Sequence, residues 1–278
     1  MKKIIAAFDG IRFSESTLQY AVYMARETEA LLVGIFLQES TVTGYALYEM
    51  ISRQSLGGSK IFDEIKSSDK VSIHESITKF VSACQKADIN YIVRQDKKNA
   101  VDELIHETLF ADLLVIDAWE TFSYLETKLP AWFIKQVLHE AHCPVIVVPQ
   151  KFMPLKKRVF LYDGSPASIY AMKMCNYLLP EFSSLKTELV SAVKKASAPL
   201  LPDNKLVKEW MNSLVSRNQI KVLRGGTTEL MSRLEKEDGN CLLVAGSYQR
   251  SQFSMWFHES LANLLMRKFK APVFIAHL

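Results

Sequence analysis

No stretch of this sequence approaches the ~20 consecutive apolar residues of a membrane span. Nor is any basic block interleaved with aromatic residues, which removes the warrant for nucleic acid. Charge of one sign does not dominate: 34 basic and 30 acidic residues leave a net charge of +4. The small clusters Lys156-Lys157 and Lys194-Lys195 read as solvated loop ends. Cysteine is scarce. The four residues Cys84, Cys143, Cys175 and Cys241 stand far apart with no CxxC, which argues against a zinc site and a disulfide framework. They read as buried thiols of a reducing compartment, so the cytoplasm is the expected address. The opening Met1-Lys2-Lys3 is basic, but the apolar run behind it is interrupted by Asp9 and is too short for a signal-peptide core.

What is present is enough for a core. A hydrophobic content of 49% and a charged content of 23% describe a globular chain, and 278 residues are enough for two compact domains. The sequence also begins twice. Ile4 to Phe8 is an apolar run that meets Asp9-Gly10, and helical spacing follows from Ser14 to Arg26. Val159 to Tyr162 meets Asp163-Gly164-Ser165-Pro166, and helical spacing follows to Leu179. Two strand–Asp-Gly–helix openings, about 154 positions apart, make a tandem duplication. Its expected units are residues 1–150 and 155–278.

The strands of the first unit are predicted at 4–8, 31–36, 90–94, 113–116 and 143–148. Helices are expected at 14–26, 71–87, 100–109 and 132–141. The second unit repeats the order, with strands at 159–162, 188–193, 221–224, 242–245 and 272–276. Its helices are expected at 167–179, 205–216, 228–236 and 260–268. Alternating strands and helices imply βαβ crossovers and two α/β units, each a doubly wound five-stranded parallel sheet with helices on both faces. The offset between units falls from about 154 at Asp9 to about 130 at Val93. Roughly 25 extra residues therefore sit between strands two and three, somewhere in 38–70, at the rim where such sheets bind ligands; a lid and a tolerated loop are both open readings.

With both repeats laid out, the chain resembles the universal stress protein family in its tandem form. The marks are Asp163-Gly-Ser-Pro-Ala-Ser168, Asp112-Leu-Leu-Val-Ile116, and the closing strands Cys143-Pro-Val-Ile-Val-Val148 and Ala271-Pro-Val-Phe-Ile-Ala276. No G-x-G-x-x-G follows the first strand of either unit, which leaves flavodoxin-like and dinucleotide-binding sheets without support. The resemblance implies an adenine-nucleotide alpha-hydrolase-like fold. It also implies that strand five pairs across a twofold axis, here inside one chain as a pseudo-dimer, with a homodimer of whole chains left open. In some members the sheet binds ATP, with the strand-one Asp near the adenosine. A G-x2-G-x9-G-[S/T] loop after strand four then wraps the phosphates.

In the first unit those loop positions fall on Asp117, Glu120, Pro130 and Ala131. Two carboxylates replace glycines, a donor N–H is gone and so is the hydroxyl, so family-type ATP binding is not expected there. Asp9 is then left to cap or order its turn. The second unit keeps Gly246 and Ser260 but has Gln249 and Glu259 between them. Its candidate nucleotide site is Asp163, Gly164, Ser165, Gly246, Arg250 and Ser260. An N-cap and turn role explains the first three equally well. Arg250 could contact a phosphate or pair with Glu259.

Gly57-Gly58-Ser59-Lys60 lacks the first glycine and the spacing of a phosphate loop, and His139 and His142 do not make a metal motif. Trp119, Trp132, Trp210 and Trp256 read as large anchors, two of them in the degenerate loops. The expected function is a non-enzymatic stress-response or regulatory binding protein with an unidentified protein partner and no cofactor certain. The alternative is a switch that binds ATP in the second unit. A hydrolase would need a base near the phosphate, for which Asp163 is the sole candidate.

Overall fold

A computed structural model of the chain describes residues 2–9, 13–37, 58–96, 100–118, 132–193, 201–214, 218–224, 226–237, 239–246 and 270–276. The first half runs β1 (Lys3–Asp9), α1 (Glu15–Thr28), β2 (Leu31–Leu37), α2 (Gly58–Lys86), β3 (Tyr91–Asp96), α3 (Ala100–Thr108), β4 (Leu113–Asp117), α4 (Trp132–Glu140) and β5 (Val145–Val148). The second half runs β6 (Lys157–Leu161), α5 (Pro166–Leu178), a 3-10 turn (Pro180–Ser184), β7 (Lys186–Val193), α6 (Asn204–Leu214), β8 (Asn218–Arg224), α7 (Gly226–Leu234), β9 (Cys241–Gly246) and β10 (Val273–Ala276).

All these strands form one ten-stranded sheet in the order β3-β2-β1-β4-β5-β10-β9-β6-β7-β8. Pairing is parallel within each half, and the halves meet where β5 and β10 run antiparallel, Val147 opposite Val273 and Val145 opposite Ile275. That junction joins the two strand-five segments singled out in the sequence and leaves neither as an open edge. Because the junction reverses direction, the carboxyl rims of the halves lie at opposite ends of the sheet. Loops there carry the ligands of open α/β sheets.

Each central strand is buried on both faces, as parallel strands under helices are. Ile4, Ala6 and Phe8 face α1 and α2, and Ile5 and Ala7 face α3 and α4. On the α1 side the core continues without a break through β5 and β10 to Phe160, Met172 and Met211 under α5 and α6. On the other side the halves keep separate cores, which touch at Ile275. The linker between halves is packed into the shared side: Met153 N–H donates to Tyr20 Oη at 3.2 Å, and Phe152 meets Tyr20 and Tyr23 edge-on.

The expected helix at 71–87 begins earlier, at Gly58. This helix has 29 residues and its counterpart α6 has 11, so much of the extra length of the first half is helix rather than loop. Gly58-Ser59-Lys60 is its first turn, not a phosphate loop. The remainder of the insertion, 38–57, and the helix expected at 260–268 lie outside the described residues.

Candidate functional site

The two rims place the same chain positions side by side, but with opposite chemistry. In the second half, β6 delivers Tyr162 and Asp163 to the rim, and Gly164 turns the chain at φ +85°. This conformation favours glycine, since no Cβ opposes it. Asp163 Oδ1 accepts from Ser165 N–H at 2.9 Å, a side-chain-closed turn. Ser165 then caps α5: its Oγ accepts from Ser168 N–H at 3.2 Å, and Pro166 follows in the first turn, where its missing N–H is harmless.

Gly246 closes β9 directly beneath that first turn. A Cβ on Gly246 would lie 2.5 Å from the Ala167 carbonyl carbon and 2.6 Å from Ser168 N. The one loop glycine the sequence retains is thus demanded by strand–helix contact, whether or not a ligand binds. From the other side Pro202 closes over the turn, its Cβ 2.8 Å from where a Gly164 Cβ would stand. Tyr162 Oη donates to Pro202 O at 3.3 Å. Burial, then the nearby charges of Asp203 and Asp163, push this phenol up to about 12. The residues beside Asp163 are therefore already in contact with the segment leading into α6. Arg250 and Ser260, the other two candidate residues, lie outside the described residues, as do Gln249 and Glu259.

In the first half, Asp117 holds the position of Gly246 at the end of β4, and Ser14 that of Ser168. Helix α1 starts three residues later than α5 and its cap is Ser14; Asp9, expected to cap or order its turn, is not that cap and ends β1 as a buried residue. Ser14 Oγ accepts from Thr17 N–H at 3.1 Å and donates to the buried Asp117 carboxylate at 2.6 Å. A carboxylate thus stands at the positive end of α1, the place that an anionic ligand would otherwise take. Above β1 and β2 the rim is filled by rings: Phe13 and Phe36 both stack on Phe8 with centroids 5.1 Å away, and Phe80 meets Phe8 edge-on. Glu120, Pro130, Ala131 and Trp119 lie outside the described residues.

Sequence reasoning missed the Ser14–Asp117 bond, the Phe13 stack and the Pro202 cover. The separation of 103 residues hid the first. An acidic residue at a motif glycine was its only signal. Among the described residues no three His, Cys, Asp or Glu side chains are grouped to hold a metal ion. No helix among them is long and apolar enough to cross a membrane. Trp210 packs in the core, 6.5 Å from the Phe160 ring.

No family model matches the sequence, and no curated protein is similar to it. Solved structures do match. A universal stress protein from Archaeoglobus fulgidus superposes with a TM-score of 0.66 at 14% identity, over 99% of this chain and 98% of that one. For a putative universal stress protein from Pseudomonas aeruginosa the TM-score is 0.60 at 11% identity, over 100% of this chain and 93% of that one. A functionally unknown protein from Pseudomonas aeruginosa gives 0.58 at 11%, over 100% and 92%. At such identities the likeness is one of fold, and it takes in both five-stranded halves: the chain has the adenine-nucleotide alpha-hydrolase-like fold of the universal stress proteins.

Proposed function

We propose that this is a non-enzymatic regulatory binding protein of the universal stress type, with nucleotide binding lost in the first half and weak or lost in the second. The observation that carries the reading is the Asp117 carboxylate on the Ser14 cap, a built-in anion at the rim. Supporting it, the second-half cap is satisfied from within by Asp163 and Ser165, and Gly246 has a packing role. With the described cap of each half satisfied from within, we take the working partner to be another protein and the address to be the cytoplasm. The paired β5 and β10 make the chain its own pseudo-dimer.

Calorimetric titration with ATP and Mg²⁺ tests this. The wild type should give no heat of binding, and Gln249→Gly with Glu259→Gly should restore some if those two side chains close the loop. Micromolar binding by the wild type, abolished by Arg250→Ala with its melting temperature unchanged, would replace this reading with an ATP switch in the second half.

A further inference from the structure

Helix α1 turns one line of side chains away from the sheet. Glu15, Gln19, Val22 and Arg26 follow the 4-3-4 spacing of a helix-pair seam. Glu15, Gln19 and Arg26 are exposed, and Val22 is half-buried. The line runs along a groove of about 470 Å³, flanked by Ala83 of α2 and by Pro154 of the linker between halves. Tyr23 and Phe152, packed edge-on against each other, form its apolar wall. Among the described residues that line it, only Glu15 and Arg26 are charged.

The two charges stand at opposite ends, about 16 Å apart along the helix at 1.5 Å per residue. A partner of uniformly acidic or basic character would match one end and oppose the other. What suits both ends at once is a helix with the same two residues, running the other way. Turned about a twofold axis, α1 offers Arg26 to Glu15 and Glu15 to Arg26, the self-matching pattern of an isologous interface. The axis falls midway, between the levels of Gln19 and Val22. Val22 and Tyr23 then lie towards the centre and the charges at the rim, as in an association surface. Arg26 already donates to its neighbour Glu27 at 3.0 Å, but that pair is exposed and weakly held, and a guanidinium has five donors to share. The matching positions of the second half are Ile169, Lys173, Asn176 and Pro180. They open with no acid and close with no base, so the pattern belongs to one half alone.

We propose that this chain forms a homodimer through α1, laid antiparallel against α1 of a second copy, with Glu15 of each chain paired to Arg26 of the other. The surface is a helical layer, and the strands of the sheet take no part in it. The inference does not rest on the nucleotide reading: it holds whether or not the second half binds ATP.

Sedimentation equilibrium of the full chain across the micromolar range tests this. The wild type should approach twice the 31.6 kDa of one chain. Arg26→Glu sets two carboxylates against each other at both ends of the seam, and Glu15→Arg sets two guanidinium groups there. Each should weaken association about tenfold or more, since like charges brought face to face repel. Glu15→Arg combined with Arg26→Glu in one chain restores both pairs and should restore the dimer. These side chains are exposed, and melting temperatures check that each variant is folded. If the double reversal unfolds, a mixture of Gln19→Cys chains and Val22→Cys chains decides, because the two thiols face each other across the axis. The mixture should cross-link faster than either variant alone, and equal rates overturn the proposal. A wild type that stays monomeric throughout overturns it and leaves the groove to a different protein. A dimer that survives both single reversals uses another surface, which overturns it too, as does a folded double reversal that stays monomeric.

Discussion

The Cβ that Gly246 lacks would stand 2.5 Å from the carbonyl carbon of Ala167, so β9 and α5 touch where no side chain fits. The three atoms it would meet, Ala167 C and O and Ser168 N, all belong to backbone and cannot rotate away. Gly246→Ala should therefore destabilise the protein by about 1–3 kcal/mol, in the range of overpacked cores. Urea denaturation checks this. A variant as stable as the wild type would remove the packing explanation and return Gly246 to the ligand.

At the opposite rim, Ser14 and Asp117 should behave as one unit. Removing the cap by Ser14→Ala should cost about 1 kcal/mol. Asp117→Ala should cost about 1.5–3 kcal/mol, the worth of a hydrogen bond to a charged group. The double variant should lose less than the sum, and the difference is read from a denaturant double-mutant cycle. Strict additivity would mean that the 2.6 Å bond carries no energy.

How far the residues foretold this arrangement differs by element. The five-strand order of each half was readable because buried parallel strands are short apolar runs between turn signals, as in Leu113–Asp117 and Cys241–Gly246. The first 13 residues of α2 were not, because Ile61, Phe62 and Ile65 are the only large apolar side chains between Gly58 and Lys70, and no face repeats. At the site, Ser165 announced itself as a cap by its place before Pro166, and local chemistry sufficed. The partners of Gly246 and Asp117 did not, because each is supplied by a helix that precedes it by many residues. Distance in sequence, not weakness of interaction, is what concealed them.

Arg158→Met should raise stability, for this β6 residue is wholly buried. The first-half counterpart, Ile4, fills the same place without a charge, and replacing a buried ion by an apolar side chain of similar volume commonly gains about 1 kcal/mol or more. For a chain of this size that is about 2–4 °C in melting temperature. A lower melting temperature would show that the bonds Arg158 donates to Thr187 and Asn176 outweigh desolvation.

The second half also buries Glu188, which accepts from Arg233 and holds Lys157 and Lys221 at 2.9 Å each. Burial pushes its carboxyl up, but the hydrogen bonds from Lys221 and Lys157 and the charges of Lys157 and Arg233 outweigh that and hold it below its ordinary 4.5. A depressed carboxyl stabilises fully above the unfolded value and loses that contribution as pH falls through the folded one. Glu188→Gln should therefore flatten stability against pH below about 4.5. Glu188→Ala, which takes the carboxylate from Lys221 and leaves Lys157 and Arg233 with Glu237 alone, should cost about 1.5–3 kcal/mol at neutral pH. An unchanged acid limb in Glu188→Gln would assign that slope to other carboxylates.

The β5–β10 junction has a consequence for descent. When two identical chains meet across an axis, every substitution appears twice, and an interface residue must tolerate its own image. Here Val147 faces Val273 and Val145 faces Ile275 within a single gene product. Each copy is then relieved of matching itself, and can be altered while its twin stays as it was. One copy carries Asp117 where the other carries Gly246. One has Ile4 and Leu32 where the other has Arg158 and Thr187. A single chain that carries both copies can hold different chemistry at matching positions.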